Sequence, residues 1–251
     1  MKHLKTITIG LFIGFFSSLL GMGPGLILVP SLHILYDYPL KQAAASSLVM
    51  MIPIALFSCV THYLHTQSFP DFFNWLMYVY LGCLVGSLLG VKIRQGVSPR
   101  VLKFLFLFFL VLIQVKIWMS ISQASDVSTI SIYHHLAIGF VASFLSSLMG
   151  IGGGVVIVSA YIGVLGIASK PTALISIYVV LFNSLLATYH GRSDFKFDPV
   201  LKYILISALL GALLGTLVQS YVSDDFLMQV FKGFLLIVTL KMSLGLRQVK
   251  Q

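Results

Sequence analysis

Glutamate is absent from this 251-residue sequence, and only seven aspartates stand against sixteen Lys and Arg residues. Charged residues make up 9% of the chain against 58% hydrophobic, with a mean hydropathy of +1.00. So little charge excludes a soluble globular domain. Asp37, Asp71, Asp126, Asp194, Asp198, Asp224 and Asp225 all fall in expected loops or at the ends of apolar runs. A cation or proton relay inside a bilayer usually needs a carboxylate counter-charge there, so the missing acids argue against cation transport. Cysteine is equally scarce. Cys59 and Cys83 both sit inside apolar runs, where they serve as small apolar fillers and exclude a disulfide framework. His62, His65, His134, His135 and His190 lie at the ends of runs, without the spacing or carboxylate company of a metal site. No metal or cofactor is expected.

What is present is a series of apolar runs, each of the ~20 residues that cross a bilayer. Six or more follow one another, so residues 1–251 read as one polytopic membrane domain. The net charge of +9 belongs to the loops. There it sets orientation against the cytoplasmic leaflet and gives no case for nucleic acid. The first run follows Lys2 and Lys5 as a cleaved leader would, yet it leads straight into a motif with a partner in mid-chain, so removal is not expected.

That motif is stated twice, 129 residues apart. Ser17-Ser18-Leu19-Leu20-Gly21-Met22-Gly23-Pro24-Gly25 is answered by Ser146-Ser147-Leu148-Met149-Gly150-Ile151-Gly152-Gly153-Gly154, and the likeness continues through Val29 and Val158. Further matches at the same offset are Lys41 with Lys170 and Gly82-x-x-x-Gly86 with Gly211-x-x-x-Gly215. A duplicated, glycine-interrupted apolar segment is a sequence pointer to a transporter's central site. The repeats are placed at 1–122 and 130–251, with the polar stretch 123–129 between them.

Helices are expected at 5–20, 26–35, 42–62, 73–93 and 99–118, and again at 133–149, 155–165, 171–190, 199–219 and 226–246. Run as one helix, 4–36 would be about 50 Å long, too long for one crossing; the piece after the glycines alone is ~15 Å, too short. A re-entrant or broken hairpin with a glycine tip resolves both. Three crossings then follow each hairpin, and the two halves are inverted in the membrane. Under that topology thirteen of the sixteen basic residues share one face, leaving Lys116, Lys170 and Lys232 on the other. A plain first span would split them about nine to seven, which the positive-inside rule disfavours. The fold class is therefore all-α polytopic membrane protein, with two inverted repeats, each a Gly-tipped hairpin plus three transmembrane helices. Both termini are expected in the cytoplasm, and the location is the inner membrane.

Candidate binding groups cluster at the breaks. Glycines 21, 23, 25, 150, 152, 153 and 154 (Gly21, Gly23, Gly25, Gly150, Gly152, Gly153, Gly154) permit unwound backbone and close approach. The half-helix after each break presents unpaired N–H groups and the positive end of its dipole, an anion site that needs no charged side chain. Ser18 and Ser147 precede the breaks, Ser46, Ser47 and Ser176 open the next span, and Asn183 lies mid-span. Each can donate to an oxyanion without burying a charge. The bland reading is close helix packing, which also accounts for the Gly-x-x-x-Gly motifs. Catalysis is not expected: Ser184 and His190, the nearest nucleophile–base pair, are six residues apart and off a common helical face.

Gly21-x-Gly23-x-Gly25 followed by Pro30, then Lys41-x-Ala43-x-x-Ser46-Ser47, with the whole repeated, resembles the sulfite exporter TauE/SafE family. That family belongs to the toluene sulfonate uptake permease superfamily. The resemblance covers nearly the whole chain and implies a secondary transporter of small, sulfur-containing or organic anions. It carries the break glycines over as substrate-site backbone. Pro24 departs from the pattern, replacing a glycine, and Ser159 stands where the first copy has Pro30. The expected partners are a small anion and the lipid bilayer, with homo-oligomerisation left open. An anion channel and a non-transporting assembly subunit are the alternatives.

Overall fold

The computed structural model describes residues 2–66, 73–119, 131–190 and 198–244. The inter-repeat stretch 123–129, Asp71, Asp126, Asp194, Arg192, Lys196, Arg247 and Lys250 lie outside them, as do the side chains of His65, Lys103, Lys116 and Lys241. Among the described residues there is no strand. The helices are α1 (Lys2–Leu20), α2 (Gly25–Leu35), α3 (Leu40–Thr66), α4 (Phe73–Gly96), α5 (Pro99–Met119), α6 (Ile132–Met149), α7 (Gly154–Gly163), α8 (Ser169–His190), α9 (Pro199–Tyr221) and α10 (Asp224–Leu244). Local chemistry sets several of these ends. Pro199 pre-sets the first turn of α9, and the Asp198 carboxylate caps it by accepting from Val200 N–H at 2.9 Å.

By length and composition α3, α4, α6, α8 and α9 can each cross a bilayer. The pieces after the glycines cannot: α2 has 11 residues and α7 has 10. Each folds back on its predecessor. At the open end of the first hairpin the Tyr36 hydroxyl donates to Thr6 Oγ1 at 2.8 Å. At the second, Tyr161 Oη and His135 Nδ1 are 2.5 Å apart. Thr6 and His135 stand at the repeat offset of 129 residues. His135, expected at a run end, is fully buried, with Trp75 of α4 5.3 Å away, ring to ring.

The halves interlock through small residues. Going along both helices in the same direction, Gly10 and Gly14 of α1 lie on Ile204, Ser207 and Ala208 of α9, and Gly211 and Gly215 lie on Leu11, Phe15 and Leu19. In the same way Gly82, Gly86 and Gly90 of α4 lie on Leu136, Phe140 and Phe144 of α6. These glycines act as small residues do in membrane helix pairs, letting two backbones touch. The central helices run oppositely: Leu48 of α3 packs with Ala187 of α8, and Ala55 further along packs with Val180. The first helix of each half thus pairs with the Gly-x-x-x-Gly helix of the other. The core draws Leu26, Leu28 and Leu32 from one hairpin and Ile151, Val155 and Val158 from the other. Leu84, Val85 and Leu88 on α4, with Leu210, Leu214 and Leu217 on α9, stay exposed, the outward apolar surface that a bilayer would cover.

Candidate functional site: the paired helix breaks

Each break is built by left-handed glycines. Gly21 and Gly23 have φ of +66° and +72°, and Gly150, Gly152 and Gly153 have +76°, +76° and +81°. Such angles place an L side chain's Cβ against its own carbonyl, so glycine is the residue that adopts them freely. Gly150 ends α6 by donating its N–H to Ser146 O at 2.7 Å. The restart differs between copies. Gly153 is left-handed at the N-cap of α7, whereas Pro24 at the N-cap of α2 is right-handed (φ −68°) and has no N–H to offer. Pro24 O accepts from Ile27 and Leu28 N–H, and Gly153 O from Ile157 N–H, which leaves the first amides of α2 and α7 ahead of the closed turns.

The two breaks meet. A Cβ on Gly25 would stand 2.7 Å from Gly150 O and Ile151 Cα, while one on Gly154 would strike the carbonyl of Met22. The start of each half-helix therefore lies against the backbone of the opposite break. Each break also rests on a span of the other half: Gly21 on Ala173 of α8, and Gly150 on Ala44 of α3. Ala44 and Ala173 are repeat counterparts, as are Met51 and Val180, which line the junction from α3 and α8. Residues 21–26 and 150–159 are all buried.

Among the side chains named from the sequence, several converge here. Ser176 Oγ donates to Gly154 O at 3.1 Å, and Asn183 Nδ2 reaches Gly152 O at 3.5 Å. Asn183 Oδ1 and the hydroxyls of Ser46 and Ser47 are buried with no partner among the described residues. Ser18 and Ser147 are differently employed. Ser18 Oγ is 2.7 Å from Thr216 Oγ1 and donates to Ser58 Oγ at 3.3 Å, and Ser147 Oγ donates to Ser87 Oγ at 3.1 Å. These tie α1 to α3 and α9, and α6 to α4, and Thr216 and Ser87 are themselves repeat counterparts. The Ser184 hydroxyl donates to Met51 Sδ at 3.4 Å, and the His190 Nδ1–H donates to Leu186 O, so the two are not joined to each other.

Other residues at this site went unnoticed in the sequence. Ser143 and Thr172 are also buried, with hydroxyls that find no partner among the described residues, as is Ser146, which the sequence does place just before the second break. Arg94, counted with the loop cations, is 1% exposed, the single buried Lys, Arg or Asp among the described residues. Its Nη1 donates at 3.3 Å to Ser147 O in the last turn of α6, where the helix dipole presents negative charge. Nothing in the sequence near Arg94 distinguishes it from Arg100 two turns on. Met51 and Val180 could have been found by extending the repeat alignment past the glycines.

Helical hairpins with buried, mutually contacting breaks, set among long apolar helices, define a polytopic membrane protein of the transporter class. The family model described as sulfite exporter TauE/SafE matches residues 1–117 and 135–251, and the chain belongs to that family. It is similar to the probable membrane transporter protein YunE of Bacillus subtilis, 25% identical over 74% of this chain and 76% of that protein. It is also similar to the probable membrane transporter protein MJ0441 of Methanocaldococcus jannaschii, 26% identical over 82% of this chain and 92% of that one. The chain is a membrane transporter.

Proposed function

We propose that the protein is a secondary transporter that carries a small oxyanion, of the sulfite or sulfonate kind, by alternating access around the two breaks. The observation that carries this reading is the meeting of two left-handed glycine breaks whose half-helices begin, fully buried, at the same place. Paired helix N-termini bind anions through amides and dipoles without a buried cation. Ser47 and the remaining Asn183 Nδ2–H add donors, Ser176 fixes Gly154 O, and no aspartate is buried among the described residues to repel the cargo. The family name supplies the sulfur oxyanion, and the name alone does so.

The two halves are inverted repeats in this proposal. Antiparallel packing of the counterpart helices α3 and α8 supports it, since repeats related by an axis along the membrane normal would run parallel. The membrane is the inner membrane and both termini are cytoplasmic, in keeping with the split of basic residues. Each half-cycle would separate one hairpin from the opposite span and expose the amides to one side.

Uptake of radiolabelled sulfite into proteoliposomes tests the reading. Saturable uptake that is accelerated by unlabelled sulfite on the far side is expected. Linear uptake without exchange would instead make the protein a channel, and no uptake of any sulfur oxyanion or carboxylate would remove the anion reading.

A further inference from the structure

The junction between the breaks is occupied by a side chain. Met51 of α3 is wholly buried, and its Cε lies where a Cβ on Gly25 would stand. Its Sδ would clash with a Cβ on Gly152, so one thioether touches both breaks. From the opposite side the repeat counterpart Val180 lies 2.9 Å from the Cβ position of Gly23 and 2.8 Å from that of Gly154. The two halves thus fill the junction unequally: a long, unbranched side chain from α3 and a short, branched one from α8. Ser47 and Ser176 each stand one turn before this pair, on the same helical faces.

A thioether is a poor occupant for this place. Sulfur is a weak acceptor, and the first amides of α2 and α7 need a strong one. The unpartnered hydroxyls of Ser46 and Ser47, each able to donate, are likewise unserved by it. Methionine is, however, the apolar side chain most able to change rotamer without rearranging its helix. Among the described residues Ser184 Oγ alone tethers the sulfur, at a long 3.4 Å.

We infer that Met51 is a resident plug of the anion site: it swings aside when the oxyanion reaches the amides, and its length sets the largest anion admitted. The inference rests on the anion-site reading above and adds a determinant of size selectivity to it. Met51→Val copies the residue that the second repeat carries at the equivalent position, and Met51→Ala removes Cγ, Sδ and Cε. Met51→Leu, close in volume, is the control.

The test is uptake by proteoliposomes of sulfite, methanesulfonate, 2-hydroxyethanesulfonate and benzenesulfonate, with each variant normalised to its monodisperse fraction. The wild type is expected to favour sulfite. Met51→Val and Met51→Ala should raise uptake of the larger sulfonates relative to sulfite by about tenfold or more, the scale on which a missing methylene alters discrimination in an apolar pocket. Met51→Leu should keep the wild-type ranking. A purely structural methionine would change stability and leave the ranking where it was. If Met51→Ala does not remain monodisperse, Met51→Val carries the test. An unchanged ranking in Met51→Val, with the wild type still moving sulfite, would overturn the plug and leave the transport reading standing. No uptake of any of the four anions by any of the four proteins would overturn both.

Discussion

Replacing Gly150 by alanine should be among the most damaging single-methyl additions this protein can receive. At φ +76° an alanine is strained by about 1–2 kcal/mol. Its Cβ would stand 2.6 Å from both Cβ and O of Ala44 and closer still to Ala44 Cα. Since the obstacle includes the backbone of α3, no side-chain rotation relieves it, and overpacking of this kind adds about 1–3 kcal/mol. The sum is about 2–5 kcal/mol. A chain of this size loses roughly 2–4 °C of midpoint per kcal/mol, so the thermal midpoint in detergent should fall by about 4–20 °C. Gly233→Ala is the matched control: it lies within α10, with nothing within 4 Å of its Cβ position, and should gain stability on the order of 0.5–1 kcal/mol. Intrinsic fluorescence on heating reads both. A Gly150→Ala midpoint equal to that of Gly233→Ala would refute the reasoning, because it would mean that the break does not rest on α3.

Four further outcomes can be checked by the same melting assay. Gly23→Ala meets only the Val180 methyls, at 2.9 and 3.0 Å, so adding Val180→Ala should recover part of the loss, whereas Gly21→Ala, which strikes the Ala173 backbone, should not be rescued from α8. Arg94→Gln withdraws a charge-assisted donor from Ser147 O and should destabilise by about 1.5–3 kcal/mol; a change below half a unit would place the guanidinium outside the protein. Tyr161→Phe deprives buried His135 of its hydroxyl partner and should cost about 1 kcal/mol, loosening the second hairpin more than the first. Ser18→Ala and Ser147→Ala should lower stability by similar amounts, about 0.6 kcal/mol each as membrane hydrogen bonds average, because the two serines make counterpart bonds in the two halves.

Much of the fold was legible because a bilayer leaves few options. Residues after Gly25 and Gly154 form helices too short to cross, and lengths alone required a hairpin there, as Tyr36–Thr6 and Tyr161–His135 bear out. The Gly-x-x-x-Gly motifs of α4 and α9 were read as close-packing surfaces, and both lie on the backbone of the other half's first helix. The candidate site was legible as backbone and less so as side chains. Local sequence does not show whether a serine beside a break faces the break or a neighbouring helix, and Ser18 and Ser147 face the neighbours. Arg94 looked like a loop cation because periodicity carries no information about what lies above the end of a helix. Met51 was invisible for the opposite reason. One methionine in an apolar run is ordinary, and its place between two breaks arises from residues more than a hundred positions apart.

The most direct measurement is a crystal structure of the protein soaked with selenite, the heavier analogue of sulfite, recorded at the selenium edge. An anomalous peak is expected at the junction of the breaks, within hydrogen-bonding reach of amides at the starts of α2 and α7, with Met51 turned away. At saturating selenite, a peak at any other place, or none beside either break, would contradict an anion held by the paired helix ends.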